Sequence, residues 1–305
     1  MRSFLYSELT SFCENHLVSS YEDNFWLDFQ LMPGQSNIWI SALVIALTQK
    51  VKCDTLLSMR EESLKQLISN DSLINGVGYN QFTPSDADSS IWLARAIKSC
   101  SRKIPVELVD YIQRHVKKDN LVSTYISSDK VDNFIGLDIM QCSGWLSSHA
   151  CVGTNYMCLE PKSKLAQLPN ISLSSYWWPT DSYQYGFADS SLFSKIGELF
   201  EHPQTFIPSF EDSLGSEDLF FAKNFVRLIH SLVHDNMKDL SHLIEVYMSH
   251  PTHNCWMILP DPSHQHRMQT QSWLINGLIQ GAASTDINGN FGAALLLNII
   301  NQKLV

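Results

Sequence analysis

The chain has 305 residues, of which 44% are hydrophobic and only 17% are charged, and its formal net charge is −10. Soluble domains carry roughly 25% charged residues, so this composition readily supplies a large core. Phosphate neutralisation by Lys and Arg dominates nucleic-acid affinity, and an acidic chain without a basic cluster therefore argues against a nucleic-acid partner. The seven cysteines form no Cys-x-x-Cys pair, which favours free thiols in a reducing compartment.

The sequence shows no pattern of a signal peptide or a membrane span. Residues 1–8 have no long apolar core and already contain an acid, which is atypical of a secretory leader. No stretch approaches the run of about 18 uncharged apolar residues that a transmembrane helix needs. We expect a cytoplasmic protein without a transmembrane segment. Peripheral contact with a membrane and the oligomeric state stay open.

In chain order, six charge-poor segments predict helices that are buried on most of their sides. Each is about three to four turns long, and several follow a residue suited to capping a helix N-terminus. The suitable caps are Ser36, Asp88 or Ser89, Ser148, and Asp286 or Asn288. The six segments begin near Ser36, Asp88, His149, Tyr185, Phe220 and Asn290.

Amphipathic segments with more charge lie between these six, at residues 60–69, 105–115 and 239–248. Each has an apolar stripe at helical spacing, and the second begins with a proline suited to a first helical turn. The alternation of buried and surface helices predicts an all-α fold, a single (α/α)6 toroid with an inner and an outer ring over residues 1–305. Residues 121–126 form the only credible strand.

Residues 76–90 carry the strongest chemical signal. A glycine-punctuated aromatic loop leads through Pro84 into Asp86 and Asp88, and then directly into a charge-poor helix. Either Asp alone is most simply a helix cap. Two carboxylates in a dry place cannot both ionise at low cost, so together one of them keeps a proton. A protonated carboxyl group that faces an apolar cavity would be an acid able to protonate an alkene or an epoxide.

Residues 79–93 resemble the acid motif of the squalene–hopene cyclase and class II terpene cyclase superfamily, an Asp-x-Asp-Asp type motif whose middle Asp donates the initiating proton. Asp86 falls on the first acid and Asp88 on the proton donor, whereas Ser89 stands where a third acid is usual. Residues 26–39, 144–149, 176–178 and 254–256 look more loosely like the starts of the family's repeats. The resemblance implies an α/α toroid of one barrel.

The resemblance also implies that His149 is a hydrogen-bond partner that tunes Asp88, as a histidine does in squalene cyclases. The alternative is a buried or capping histidine. Aromatic side chains near the predicted inner helix ends would line a cavity and stabilise a carbocation by cation–π attraction. Trp92, four residues after Asp88, is the first of them. The predicted substrate-binding residues are Trp92, Tyr79, Phe82, Trp39, Trp145, Trp177 and Trp178.

The sequence favours a metal-independent cyclase or isomerase that protonates an apolar, alkene-containing substrate, a terpenoid or polyketide-like polyene, free or carrier-bound. Two alternatives stay open: another acid/base enzyme of the glycosidase type on the same toroid, and a non-catalytic toroid that binds a hydrophobic ligand or a partner. His253, Cys255, His264 and His266 lack the spacing of a metal site. No Asp-Asp-x-x-Asp or phosphate-binding motif occurs, so we expect no metal and no cofactor.

Overall fold

The computed structural model describes residues 2–31, 33–69, 73–117, 121–160, 175–199, 206, 208–212, 214–260, 262–263, 273–275, 278–280 and 283–303. The helices in these residues are α1 (Arg2–Ser19), α2 (Ile38–Leu47), α3 (Asp54–Ile68), α4 (Ala87–Ser99), α5 (Val106–His115), α6 (Val131–Ile135), α7 (Ala150–Leu159), α8 (Tyr183–Phe187), α9 (Phe193–Leu199), α10 (Pro208–Glu211), α11 (Ser216–Val233), α12 (Leu240–Ser249) and α13 (Asn290–Lys303). The strands are β1 (Asp28–Leu31), β2 (Gly34–Ser36), β3 (Val77–Gly78), β4 (Ser85–Asp86), β5 (Trp256–Ile258), β6 (Trp273–Ile275), β7 (Leu278–Gln280) and β8 (Ala283–Thr285).

Within the described residues, six helices form a closed inner ring. Helix α2 packs on α4, α4 on α7, α7 on α8, α8 on α11 and α13, and α13 returns to α2. Helices α1, α3, α5 and α12 pack on the outside of this ring. The strands pair only two by two in antiparallel fashion, β1 with β2, β3 with β4, β5 with β8 and β6 with β7. The predicted all-α toroid is confirmed, and the six charge-poor segments are its inner helices. Helix α8, with five residues, is shorter than the three to four turns predicted.

The stripes of the outer helices face inward as their spacing predicts. On α12, Leu240, Leu243, Ile244 and Tyr247 are all buried. On α5 the apolar stripe predicted from Leu108, Val109 and Ile112 is narrower in the structure, because Val109 lies at the surface. None of the helices in the described part of the chain combines the length and the apolar character that crossing a bilayer requires.

The strand predicted for residues 121–126 is wrong. The segment forms only isolated bridges, from Val122 to Val116 and from Ser123 to Ser148. Its backbone groups bond to several different segments in turn: the carbonyl of Thr124, for example, accepts from Ala87 N at 2.8 Å. A ladder needs one continuous partner, so the segment instead ties the start of α4 to its neighbours.

The inner helices are capped partly as predicted. Ser36 Oγ accepts from Ile40 N at 3.2 Å at the start of α2. At the start of α13 the cap comes from a residue that is distant in sequence, because Asp28 Oδ2 accepts from Phe291 N at 3.0 Å. Asp28 Oδ1 also accepts from Asn288 N at 3.1 Å. The Asp28 carboxyl group therefore ties β1, which precedes α2, to the start of α13.

Candidate active site

The two acids of residues 76–90 lie at the N-terminal end of α4 but have different roles. The β3–β4 hairpin pairs Val77 with Asp86 and delivers the chain to the first turn of α4. Asp86 Oδ1 accepts from Ser89 N at 2.7 Å, and Ser89 Oγ lies 2.7 Å from Asp86 Oδ2. Asp86 is therefore the helix cap, as either Asp was expected to be. Asp88, in the first turn, takes its hydrogen bonds from other helices.

Both oxygens of Asp88 accept hydrogen bonds from the neighbouring inner helices. Trp39 Nε1 on α2 donates to Oδ2 at 2.9 Å, and Asn155 Nδ2 on α7 donates to Oδ1 at 2.9 Å. An indole N–H group can only donate, and a carboxyl oxygen has two lone pairs. A proton on Asp88 therefore points away from Trp39 and Asn155.

Burial raises the pKa of both acids, but the surroundings of the two differ. The pKa of Asp86 rises to about 8, chiefly through burial and then through the adjacent charge of Asp88. Burial also raises the pKa of Asp88, and hydrogen bonds from Asn155 and Trp39 and the charge of Arg95 oppose that rise. At neutral pH Asp86 keeps its proton and carries no charge. Hydrogen bonds from Ser89 likewise oppose the rise at Asp86, so the distinguishing feature of Asp88 is the positive charge of Arg95 nearby.

Asp88 and Tyr125 both keep accessible surface, although both lie deep within the protein. The bond between Thr124 O and Ala87 N brings the neighbouring Tyr125 beside the acids. Burial, followed by the charge of Asp86, raises the pKa of Tyr125, so its phenol stays neutral. Tyr125 was not among the predicted site residues, because no local sequence pattern distinguishes it.

One aromatic cluster adjoins Asp88 through Trp39. The Trp39 ring lies 5.9 Å from the Trp178 ring and 6.3 Å from the Tyr79 ring, between ring centroids. Phe29 and Phe291 complete the cluster at 6.0 and 5.9 Å from Trp39. Three of the predicted substrate-binding residues, Trp39, Tyr79 and Trp178, are therefore brought together.

A second aromatic cluster adjoins the acids through Tyr125. Tyr125 stacks on Trp145 with 6.0 Å between ring centroids, and Trp145 meets Trp177 edge-on at 5.4 Å. Trp177 Nε1 donates to Thr124 Oγ1 at 2.8 Å, which holds the cluster to the segment beside α4. Trp177 keeps accessible surface, whereas Trp145 is buried.

Two predicted substrate-binding residues are placed differently. Phe82 lies outside the site, because it sits in the loop of the β3–β4 hairpin and is 66% exposed. Trp92 is only 1% exposed, with the Arg95 guanidinium 4.3 Å above its ring and the edge of Phe187 at 5.3 Å. One face of its ring is covered by the Arg95 guanidinium and the side chain is buried, so Trp92 is not exposed to a substrate cation.

His149 does not bond to Asp88 as the resemblance implied. Its Nδ1 lies 2.6 Å from Thr124 Oγ1, and its Nε2 lies 2.9 Å from Gly144 O. Burial lowers the pKa of the imidazole to about 3, so the ring is neutral. His149 is the buried histidine of the alternative interpretation, at the N-terminus of α7. The place expected for it is taken by Asn155, whose only sequence signal is a polar amide inside a charge-poor helix.

The metal prediction is tested only in part. Within the described residues, no group of three or more His, Cys, Asp or Glu side chains is arranged to hold a metal ion. His264 and His266 lie outside those residues. All seven cysteines are free thiols.

No protein-family model and no curated protein sequence matches this chain. Among solved structures, the type II terpene cyclase MstE from Scytonema superposes with a TM-score of 0.73 at 13% sequence identity, over 98% of this chain and 99% of that chain. A variant of MstE in complex with its substrate, geranylgeranyl dihydroxybenzoate, gives a TM-score of 0.73 at 14% identity, over 98% and 97% of the two chains. A protein from Actinoplanes gives 0.74 at 19% identity, over 98% and 100%. The chain therefore has the fold of type II terpene cyclases.

Proposed function

We propose that the protein is a proton-initiated cyclase in which Asp88 protonates a carbon–carbon double bond of an apolar substrate. The observation that carries this proposal is the pair of N–H donors on Asp88, Trp39 Nε1 and Asn155 Nδ2 at 2.9 Å each. A general acid is strengthened by groups that bind its conjugate base. These donors bind the carboxylate that proton transfer leaves behind.

The first step forms one C–H bond and breaks one O–H bond. The π electrons of the alkene take the proton of Asp88, and the O–H electrons remain on Asp88 as a carboxylate. The proton points away from Trp39 and Asn155, and the substrate is proposed to approach from that side. The cation is then attacked by a further double bond of the same substrate, and loss of a proton or capture of water ends the sequence.

Asp86 supports this step by staying protonated. A second carboxylate beside Asp88 would oppose formation of the Asp88 anion, because like charges at close range repel. With a pKa of about 8, Asp86 is neutral at the pH where Asp88 acts. The backbone N–H group and the hydroxyl group of Ser89 hold the Asp86 carboxyl group in place.

The aromatic clusters supply the walls that a carbocation needs. A ring face attracts a cation by about 0.5–2 kcal/mol, more where water is excluded. Trp39, Tyr79 and Trp178 stand on the α2 side of Asp88, and Trp145 and Trp177 on the Tyr125 side. This lining suits an apolar polyene, a terpenoid or a polyketide-like chain.

The alternatives predict different surroundings for Asp88. A toroid that had become a pure binding protein would be expected to pair Asp88 with a cation, yet in the described residues Arg95 turns to Asn155 and Phe187 instead. A glycosidase needs polar groups for sugar hydroxyls. The rings around Trp39 present apolar faces instead.

The test is turnover of geranylgeranyl dihydroxybenzoate, the substrate named for MstE, together with shorter all-trans polyenes. We expect products with the mass of the substrate, or heavier by one water, that carry one deuteron when the reaction runs in heavy water. Asp88→Asn should slow their formation at least about a hundredfold in a folded protein. Products formed equally well by Asp88→Asn would contradict the proposal.

A further inference from the structure

Arg95 on α4 is held by three contacts, none of which is with Asp88. Its Nη1 donates to Asn155 Oδ1 at 2.8 Å, and its Nη2 donates to Phe187 O at 2.6 Å. The guanidinium carbon lies 4.3 Å from the centre of the Trp92 ring. The Phe187 carbonyl and the Trp92 ring fix the guanidinium, so that Nη1 meets the amide of Asn155.

This contact decides which end of the Asn155 amide faces Asp88. The oxygen and nitrogen of a side-chain amide are nearly the same size, so an Asn can present either one. A guanidinium group only donates, so Oδ1 must face Arg95. Nδ2 then faces Asp88 Oδ1, at 2.9 Å.

We propose that Arg95 is a positioning residue, which fixes Asn155 with its amide N–H toward Asp88 and thereby selects the orientation that strengthens the acid. The inference rests on Asp88 being the acid of the proposed function. An Asn155 turned the other way would accept a hydrogen bond from protonated Asp88 and stabilise the reactant acid. Asn155 can therefore favour either the protonated or the ionised form of Asp88, depending on its orientation, and Arg95 determines that orientation.

The test compares the titration of Asp88 in four proteins without any substrate: wild type, Arg95→Met, Asn155→Leu and the double variant. The carboxyl C=O stretch of Asp88 is followed by infrared difference spectroscopy and assigned with Asp88→Asn, because Asp86 also titrates. Lys98→Met is the matched control, since it removes a cation from an exposed position of the same helix. Thermal melting checks that each variant is folded.

Arg95→Met is expected to move the Asp88 titration upward, and to move it less when Asn155 is already Leu. Loss of the Arg95 charge acts in both backgrounds, so the difference between the backgrounds isolates the orientation of the amide. Equal shifts in both backgrounds would mean that Arg95 acts by charge alone, and they would overturn the proposal. No shift at all would overturn it too. If Arg95→Met does not fold, Arg95→Lys enters the same cycle, because an ammonium cannot bridge Asn155 and Phe187 as a planar fork does.

A second arm uses the cyclisation of geranylgeranyl dihydroxybenzoate. Arg95→Met should lower kcat about tenfold to hundredfold, the usual size for a residue that orients a catalytic group, and leave KM near the wild-type value. A change confined to KM would contradict the positioning role. If the wild type cyclises no probe while the titration still depends on Arg95 through Asn155, the proposed function fails and the positioning role stands.

Discussion

The raised pKa of Asp86 links the stability of the fold to pH. Asp86 keeps its proton up to about pH 8 in the folded protein, because burial and the neighbouring Asp88 disfavour its charge. In an unfolded chain an Asp releases its proton near pH 4. The free energy of unfolding falls with rising pH wherever the folded state binds more protons. The contribution of Asp86 is therefore complete below about pH 4 and is lost as the pH rises to about 8.

The size of this effect follows from the two pKa values. Between about pH 6.5 and pH 9, one group with a folded pKa of about 8 lowers the free energy of unfolding by about 2 kcal/mol. For a chain of this length, that is a fall of about 3 °C in melting temperature. Asp86→Asn imitates the neutral acid, since its amide oxygen can accept from Ser89 N and its amide nitrogen can meet Ser89 Oγ. The wild type should lose about 2 kcal/mol more than this variant over the same range.

Urea unfolding followed by circular dichroism, at several pH values across that range, measures the difference. Asp110→Asn is the control, because it removes an exposed acid from α5. Asp28, whose pKa burial raises to about 7, titrates in all three proteins and cancels from the comparison. Parallel curves for the wild type and Asp86→Asn would refute the reasoning, since they would show that Asp86 is already ionised in the folded state.

Three further outcomes can be measured with the deuterium-incorporation assay. Asp88→Asn should lower kcat by about 10²- to 10⁴-fold, the range for loss of a general acid, and a smaller loss would argue against Asp88 as the donor. Trp39→Phe keeps a ring but removes the N–H group on Asp88 Oδ2, so kcat should fall about tenfold or more while KM changes little; an unchanged kcat would show that this bond does not assist. Phe82→Ala should leave both activity and unfolding free energy unchanged within about 0.5 kcal/mol, because Phe82 is 66% exposed, and a raised KM would instead place it at the substrate entrance.

The inner ring was predictable because buried helices contain few charged residues, and this shortage is visible in the amino-acid composition of each segment. A segment such as α2, where every residue from Trp39 to Leu47 is buried, shows few charges and no polar face. The acids were predictable for a local reason as well, since their spacing and the following helix are contiguous in sequence. Trp39 was predicted as an aromatic substrate-binding residue but not as a hydrogen-bond donor to Asp88. The two residues are 49 positions apart, and no local sequence pattern indicates a contact over that separation.

The errors arose where a partner is distant or where the chain reverses. Asp28 caps α13 from 263 positions away, so capping rules applied to the residues before α13 missed it. Phe82 was counted with the cavity because it is aromatic and near the acids in sequence, but a hairpin turns it to the surface. His149 was assigned by resemblance, and its two ring nitrogens satisfy local groups instead. In each case the missing information was three-dimensional.

Ser89 stands where the resembled motif has a third acid, and the structure gives this difference a physical meaning. A carboxylate at this position would be buried beside Asp86 and would need either another proton or a counter-cation. Ser89 instead offers Asp86 an N–H group and a hydroxyl, both neutral. Asp88 likewise takes neutral donors, from Trp39 and Asn155. A further anion close to Asp88 would raise the pKa of Asp88 and so weaken it as an acid. The neutral donors on Asp88 stabilise its carboxylate without adding a charge. The proposed proton transfer therefore does not need a third carboxylate.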